Sequence, residues 1–187
     1  MNQFDEAVAR ARAELPAQRA PASAQQDRDR SHAEDAARLE PELRRLVIQF
    51  AEYLAARTPP RAYRLPFRGM LSRKSPKGIL LNADVRTVNP TLTQLVAFTL
   101  VTEDGRIWST NSGYLDLSAA ALKQGLSWPL GFGAYLVVHE GQLKHQHAEG
   151  DRSSYTYAYT LVHDDLAKHA VYLGEHPVAS KYPECFK

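Results

Sequence analysis

The stretch AYLVVHEGQLKHQH, residues 134–147, predicts how the C-terminal half of this chain folds. Two strand-like segments, residues 134–139 and 142–147, flank Glu140-Gly141, and a glycine in such a pair supplies the positive φ of a tight hairpin turn. A two-residue turn also fixes the strand register. The facing pairs should be Val138 with Leu143, Leu136 with His145, and Ala134 with His147. The two histidines then share a face with apolar neighbours.

Two more hairpins are predicted, one on each side of this one. Residues 94–102 and 106–110 flank Glu103-Asp104-Gly105, where the Asp-Gly pair favours a tight turn. Residues 154–162 and 169–173 flank a loop that contains Asp164 and Asp165. Six strands in three sequential hairpins predict an antiparallel sheet within residues 78–175, followed by a C-terminal tail, residues 176–187.

The segment before the sheet predicts one long amphipathic helix over residues 41–57. Pro41 suits the first turn of a helix, and Pro59 and Pro60 end it. The apolar face of this helix contains Leu43, Leu46, Val47, Phe50, Tyr53 and Leu54. A short second helix is expected between Ser118 as its cap and Gly125 as its stop. The fold class is therefore α+β, with the long helix packed on one face of the sheet.

The first 33 residues predict an arm and a linker. Phe4, Val8, Ala11 and Leu15 recur at helical spacing, which predicts an amphipathic helical arm over residues 1–15 that ends at Pro16. Residues 16–33 are polar and contain proline, so they predict a flexible linker to the α+β domain, residues 34–187. Because so short a helix is marginal alone, we expect the arm to dock on a neighbouring subunit or form a homo-oligomer through Phe4, Val8 and Leu15.

Positive charge is concentrated between the long helix and the sheet. Seven positive side chains lie between Tyr53 and Ala83: Arg57, Arg61, Arg64, Arg68, Arg73, Lys74 and Lys77. The formal net charge of +2 conceals this block, because all 21 acidic residues lie outside it. Pro59, Pro60 and Pro66 prevent a continuous helix, so residues 57–77 predict an extended segment, which we call the basic strap.

The basic strap predicts an anionic partner, such as a nucleic acid, an anionic membrane surface or an acidic protein surface, of which we expect the nucleic acid or the acidic protein surface. Guanidinium groups bind phosphates bidentately, and an aromatic ring can stack on an exposed base. The predicted anion-binding residues are Arg57, Arg61, Tyr63, Arg64, Phe67, Arg68, Arg73, Lys74 and Lys77. The alternative is that these side chains are solvated or pair with acids of residues 78–187.

Two aromatic groups offer further contact surfaces. Residues 127–133, SWPLGFG, predict an irregular loop in which Trp128 and Phe132 either bind a partner or plug the edge of the sheet. Tyr155, Tyr157 and Tyr159 alternate along a predicted strand and share one face. This ladder is either a stacking platform for single-stranded nucleic acid or, as the residue types favour, core or a protein interface.

Histidines are the candidate metal ligands. His145 and His147, two residues apart on a strand, could chelate one ion, with His163 and His169 from the third hairpin as further ligands. Hydrogen-bonded histidines at the edge of a sheet account for the same pattern. We therefore expect neither a metal nor a cofactor.

An enzyme is the alternative to a binding module. Phe67-Arg68-Gly69 and Ser109-Thr110-Asn111-Ser112 resemble the Arg-Gly and Ser-Thr-Ser elements of mono-ADP-ribosyltransferases, which implies a small transferase. In that family a later Glu-x-Glu supplies the catalytic carboxylate. No Glu-x-Glu follows these elements here, so Glu140 or Glu175 would have to substitute. A His-dependent enzyme would use His139 or His163 in a pocket under the Trp128 loop.

The N-terminal residues argue against export. Asp5 and Glu6 stand where a conventional signal peptide has positive charge and an apolar run. The chain has a single cysteine, Cys185, which cannot form an intramolecular disulfide. The sequence thus predicts a cytoplasmic module that acts by binding and assembly.

Overall fold

The computed structural model describes residues 3–65, 73–89, 92–128, 135–151 and 154–181, which form an α+β fold with antiparallel sheets. The helices are α1 (Gln3–Ala55), α2 (Ala119–Gln124), α3 (Val162–Glu175) and α4 (Val178–Lys181). The strands are β1 (Arg64–Leu65), β2 (Arg73–Lys74), β3 (Gly78–Asn89), β4 (Leu92–Thr102), β5 (Ile107–Ser109), β6 (Gly113–Tyr114), β7 (Leu126–Ser127), β8 (Tyr135–His139), β9 (Gln142–Asp151) and β10 (Ser154–Leu161). The predicted fold class is confirmed.

Helix α1 is continuous over 53 residues. It runs through Pro16, Pro21 and Pro41, where the sequence predicted a helix end, a flexible linker over residues 16–33 and a helix start. Each proline removes one backbone hydrogen bond, but this half of the chain is rich in Ala, Arg, Glu and Gln, which favour helix. Secondary structure therefore does not separate arm, linker and domain. Residues 25–31 of α1 are exposed, and burial begins further along, with Ala36 fully buried.

The C-terminal part of α1 packs as predicted. Leu43, Val47, Phe50 and Leu54 are buried in the core, and the helix ends two residues earlier than expected. Oε2 of Glu40 accepts a hydrogen bond from the backbone N–H of Ala119 at 2.7 Å, so α1 holds the first turn of α2. Within the described ranges no helix, α1 included, is both long and apolar enough to cross a membrane.

The first sheet has the strand order β3-β4-β5-β6 and contains the predicted hairpin between β4 and β5. Gly105 of the turn has a φ of 71°. A Cβ atom at this position would lie 2.4 Å from Cγ1 of Ile48 on α1. Glycine is thus required here both by the backbone conformation and by the close approach of α1.

The second sheet has the order β10-β9-β8-β7 and contains the hairpin around Glu140-Gly141. Val138 faces Leu143 and Leu136 faces His145, as predicted. Both turn residues have positive φ, 52° for Glu140 and 68° for Gly141, as a type I′ turn requires. The predicted pairing of Ala134 lies outside the described residues.

The third predicted hairpin is wrong in its second strand. Strand β10 pairs with β9, and residues 169–173 belong to α3 instead of a strand. The buried residues of α3 are Val162, Leu166, Ala170 and Leu173, a spacing of three and four residues that marks one face of a helix. Asp164 and Asp165 lie in the first turn of α3, where negative charge favours the helix dipole.

The core has two parts, one on each face of the first sheet. The larger cluster joins residues of α1, α2 and α3 to both sheets, so the helices cover only the inner face of the second sheet. The smaller cluster contains Tyr63, Leu80, Phe98, Leu100 and Trp108, with Val178 and Ala179 of α4 packed against it. The prediction of one sheet under one helix is therefore too simple.

Candidate functional site

The basic strap doubles back on itself in the structure. Strand β1 pairs antiparallel with β2, which places Arg64 directly opposite Lys74 and Leu65 opposite Arg73. The predicted extended segment thus contains two short strands that pair as a ribbon. Residues 66–72, with Phe67 and Arg68, lie outside the described residues.

The cations of the basic strap differ in how they are engaged. The Arg57 guanidinium lies 3.6 Å from the centre of the Tyr53 ring and donates to the Tyr53 carbonyl at 3.0 Å. Lys77 is paired with Glu103 at 3.4 Å. Arg61 and Lys74 are exposed, and neither forms an ion pair with another described residue. These two side chains are therefore accessible to an anion.

Tyr63 anchors the basic strap to the first sheet. Its ring is buried and meets Phe98 edge-on, with ring centres 5.6 Å apart. Its backbone N–H donates to Ser75 Oγ at 2.9 Å, and its carbonyl accepts from the Ser75 N–H at 2.9 Å. Burial raises the pKa of Tyr63. The base stacking predicted for Tyr63 is not open to it, because its ring is packed in the core.

A buried polar group lies on the inner face of the second sheet. Nδ1 of His145 donates to Oδ2 of Asp165 at 2.7 Å, and the Thr160 hydroxyl donates to the same oxygen at 2.5 Å. The Trp128 ring packs on the imidazole, with ring centres 5.6 Å apart. Strand β10 contributes Thr160 directly opposite His145, and the first turn of α3 contributes Asp165.

Burial sets the ionisation of this group. His145 is only 4% exposed. Desolvation lowers its pKa, and the attraction of Asp165 does not restore it. Burial alone would raise the pKa of Asp165, but the hydrogen bonds from Thr160 and His145 outweigh it and lower the pKa. At neutral pH a neutral imidazole thus donates to an ionised carboxylate.

Two atoms of this group have no partner among the described residues, Nε2 of His145 and Nε1 of Trp128. Neither side chain lines the two surface grooves beside α1 that are described below. An imidazole oriented by a carboxylate is the arrangement of a general base, but a base must reach its substrate. The burial of His145 favours a structural role.

The other histidines do not join His145 in a metal site. His163 is exposed beside Asp164, at 3.0 Å, and His169 Nδ1 donates to the Asp165 carbonyl at 3.0 Å. His147 is half-buried on the same face as His145, as predicted. No group of three metal-ligating side chains occurs in the part of the chain that the structure describes.

Trp128, predicted as a partner-binding residue, is 2% exposed and belongs to the larger core cluster. Phe132 and the rest of the loop, residues 129–134, lie outside the described residues. Of the two predicted roles for Trp128, the core role fits its burial.

The Ser-Thr-Asn-Ser segment forms a turn at the end of β5. Ser109 Oγ is hydrogen-bonded to Ser112 Oγ at 2.9 Å and accepts from the Ser112 N–H at 3.2 Å. Glu140, one substitute for the catalytic glutamate, pairs with Lys144 at 2.7 Å in the turn of the second sheet, and Glu175 is exposed at the end of α3. Arg68 and Gly69 lie outside the described residues.

An apolar groove runs between α1 and α3. Its volume is about 260 Å³, and it is lined mainly by Leu46, Phe50, Tyr53, Leu166, Ala170 and Val171. A more polar groove of about 360 Å³ shares Leu46 and His163 with it and extends to Arg38 and Gln142. The apolar groove is the right kind of surface for the apolar stripe of a helix. The side chains of Phe4, Val8 and Leu15 are not among those described.

The tyrosine ladder is exposed on the outer face of the second sheet. Tyr157 and Tyr159 of β10 are 54% and 38% exposed, and Tyr135 of β8 is 52% exposed. The residue types favoured two roles for these tyrosines, core under a helix or a protein interface. Their exposure contradicts the core role. The side chain of Tyr155 lies outside the described set.

Comparisons with known proteins add no assignment: no protein-family model, curated protein or solved structure matches the chain.

Proposed function

We propose that this chain is a non-enzymatic binding and assembly module whose basic strap engages an anionic partner, with a nucleic acid as the favoured partner and an acidic protein surface as the alternative. The observation that carries the proposal is the register of the ribbon, which places Arg64 opposite Lys74. Like charges at directly opposed positions destabilise a strand pair. A phosphate between them removes that repulsion and gains two charge-assisted hydrogen bonds.

The cations of the basic strap support the same proposal. Arg57 and Lys77 have partners in the fold, whereas exposed Arg61 and Lys74 form no ion pair with another described residue. The candidate anion contacts are Arg61 and Lys74 together with Arg64, Arg68 and Arg73, which the sequence places in the same segment. The burial of His145, which is 4% exposed, supports a structural role for this group over that of a base, which must reach its substrate. A cytoplasmic location is part of the proposal.

Charge-removing variants test the role of the basic strap. If five residues contact phosphates, log K should fall with log salt at a slope near −3.5 for a single strand, or about −4.5 for a duplex. Replacing Arg61 and Lys74 together by Ala should weaken binding and reduce the single-strand slope by about 1.4. Fluorescence anisotropy with a labelled oligonucleotide at several salt concentrations measures both quantities.

The matched control removes two exposed lysines elsewhere, Lys123 of α2 and Lys168 of α3. The double variant K123A/K168A should keep the wild-type slope. An equal loss in both double variants would show that binding follows total charge and would contradict the assignment to the basic strap. Binding to an acidic protein but to no oligonucleotide would favour the alternative partner.

The assembly part of the proposal concerns the N-terminal part of α1. Its apolar stripe, Phe4, Val8 and Leu15, is proposed to dock on a neighbouring subunit, for which the groove between α1 and α3 offers apolar side chains. Since residues 25–31 are exposed and Ala36 is fully buried, deletion of residues 1–31 should leave the thermal midpoint nearly unchanged but abolish association. Light scattering and a melting curve measure the two effects.

Deletion of residues 1–37 is the control for this truncation, because it also removes Ala36 and the contact of His32 with the Val138 carbonyl at 3.2 Å. It should lower the thermal midpoint. A large stability loss in the shorter deletion would show that residues 1–31 belong to the core.

A further inference from the structure

The second sheet has one face that the helices leave open. Register and strand alternation place these described residues on its outer face: Ser127, Tyr135, Val137, His139, Gln142, Lys144, Gln146, Ala148, Tyr157, Tyr159 and Leu161. The inner face carries Leu136, Val138, Leu143 and His145, which are buried under α1 and α3. The outer face is therefore a surface with three exposed tyrosines on a rigid antiparallel scaffold.

One of the exposed rings is held in place. The His139 imidazole stacks on the Tyr159 ring, with ring centres 4.0 Å apart and planes only 2° from parallel. A ring whose orientation is already fixed loses less conformational entropy when a ligand stacks on it. The arrangement favours a flat ligand.

The polar side chains between the rings favour an aromatic ligand with hydrogen-bonding edges. Gln146 of β9 lies directly opposite both Tyr135 on β8 and Tyr159 on β10. Neighbouring strands are about 4.8 Å apart, so the two tyrosines are separated by roughly 10 Å with an amide between them. Proteins that bind single-stranded nucleic acid stack bases on aromatic side chains of an open sheet and read base edges with side-chain hydrogen bonds.

The charge of this face is compatible with phosphate. Its described residues include one cation, Lys144, and no carboxylate. The nearest acid along the chain, Glu140 in the turn, accepts from Lys144 Nζ at 2.7 Å, and this hydrogen bond lowers the pKa of Glu140. The aliphatic residues that a docking helix would need are few among the described residues of this face: half-buried Val137 and Leu161, and exposed Ala148.

We propose that the outer face of the second sheet is a stacking platform for the bases of single-stranded nucleic acid, with Tyr135 and Tyr159 as the main stacking residues. This inference rests on the proposed function to the extent that both require a nucleic-acid partner. The two surfaces contribute differently: the basic strap contacts phosphates, and the tyrosine face contacts bases.

Aromatic variants test the platform. Tyr135→Ala and Tyr159→Ala should each weaken binding of a labelled 20-nucleotide oligo-dT by about tenfold, because base stacking on one ring contributes that much. The salt slope should stay at the wild-type value, since no charge is removed. Tyr135→Phe keeps the ring and should bind within about twofold of the wild type.

Tyr172→Ala is the matched control. Tyr172 of α3 is also exposed and also stacks on a histidine, His176, at 5.0 Å, but it lies outside the second sheet. Its replacement should leave binding unchanged. Circular dichroism of every variant checks that the fold is retained.

The outcomes separate this inference from the proposed function. One result is that the alanine variants at Tyr135 and Tyr159 bind like the wild type while R61A/K74A weakens binding. That result would contradict the stacking role of the outer face and support the phosphate-binding role of the basic strap. If Tyr172→Ala weakens binding as much as Tyr135→Ala, the platform is also wrong. If the wild-type chain binds neither single strand nor duplex, the platform is overturned and the nucleic-acid form of the proposed function falls with it, which leaves the acidic protein surface as the partner to test.

Discussion

Replacement of Trp128 by Ala is expected to lower the free energy of unfolding by about 4 kcal/mol, the usual cost of deleting a fully buried large aromatic side chain. Trp128 is 2% exposed and lies in the larger core cluster with Leu122 and Leu136, both fully buried. Its ring also packs on the imidazole of His145. The truncation would leave a cavity beside a buried polar group. Urea denaturation at pH 7, followed by circular dichroism, measures the loss.

Tyr172→Ala is the control for this experiment. Tyr172 is 60% exposed, so its truncation should cost less than about 1 kcal/mol. If Trp128→Ala were equally mild, Trp128 could not be part of the core. The original prediction of Trp128 as a partner-binding residue would then regain its support.

Replacement of Asp165 by Ala is expected to cost about 3 kcal/mol. The change removes the acceptor of two hydrogen bonds, from His145 Nδ1 and from the Thr160 hydroxyl. A buried donor that loses its partner costs about 1–3 kcal/mol, and His145 is only 4% exposed. Asp164→Ala is the matched control in the same turn of α3, because Asp164 is exposed and pairs with exposed His163, so its loss should cost less than about 1 kcal/mol. Equal losses of unfolding free energy in the two variants would contradict a stabilising role for the buried hydrogen bond between Asp165 and His145.

The same group predicts a loss of stability in acid. The folded pKa of His145 lies below its ordinary value, so between about pH 6.5 and that folded pKa the unfolded chain binds more protons, and stability falls as the pH falls. Asp165 has a lowered pKa as well, so its contribution is present above the ordinary carboxyl range and is lost as the pH drops through the folded value. His145→Asn should flatten the pH dependence just below pH 6.5. If the pH dependence of stability in His145→Asn matched that of the wild type, a group other than His145 would cause the loss of stability.

Short-range turn chemistry made the hairpins predictable. The Asp-Gly and Glu-Gly pairs specify tight turns from two adjacent residues, and the turn fixes the register, which is why Val138 and Leu143 were paired correctly. The apolar face of α1 was equally visible, because Leu43, Val47, Phe50 and Leu54 follow the helical period.

The errors arose where two local patterns compete. His-Ala-Val-Tyr-Leu at residues 169–173 is rich in residues that favour strands, yet Val162, Leu166, Ala170 and Leu173 together have helical spacing. Proline at three positions suggested breaks in α1, but the neighbouring residues favour helix strongly enough to continue it. In both cases a longer window would have favoured the observed helix.

The candidate sites required tertiary contacts that no local pattern shows. The basic strap was visible as charge, but the opposition of Arg64 and Lys74 depends on a pairing across ten residues. The bond between His145 and Asp165 joins residues 20 apart, and it became recognisable only with β10 opposite β9 and α3 after it. The exposure of Tyr135, Tyr157 and Tyr159 depends on which face of the second sheet the helices cover.

The most direct test of the central claim is a titration of the wild-type chain with a labelled 20-nucleotide single strand at salt concentrations from about 50 to 300 mM. Contact of five strap residues with phosphates predicts binding at about 50 mM salt and a slope of log K against log salt near −3.5. No binding at about 50 mM, or binding that does not depend on salt, would contradict the proposal that the basic strap engages a nucleic acid.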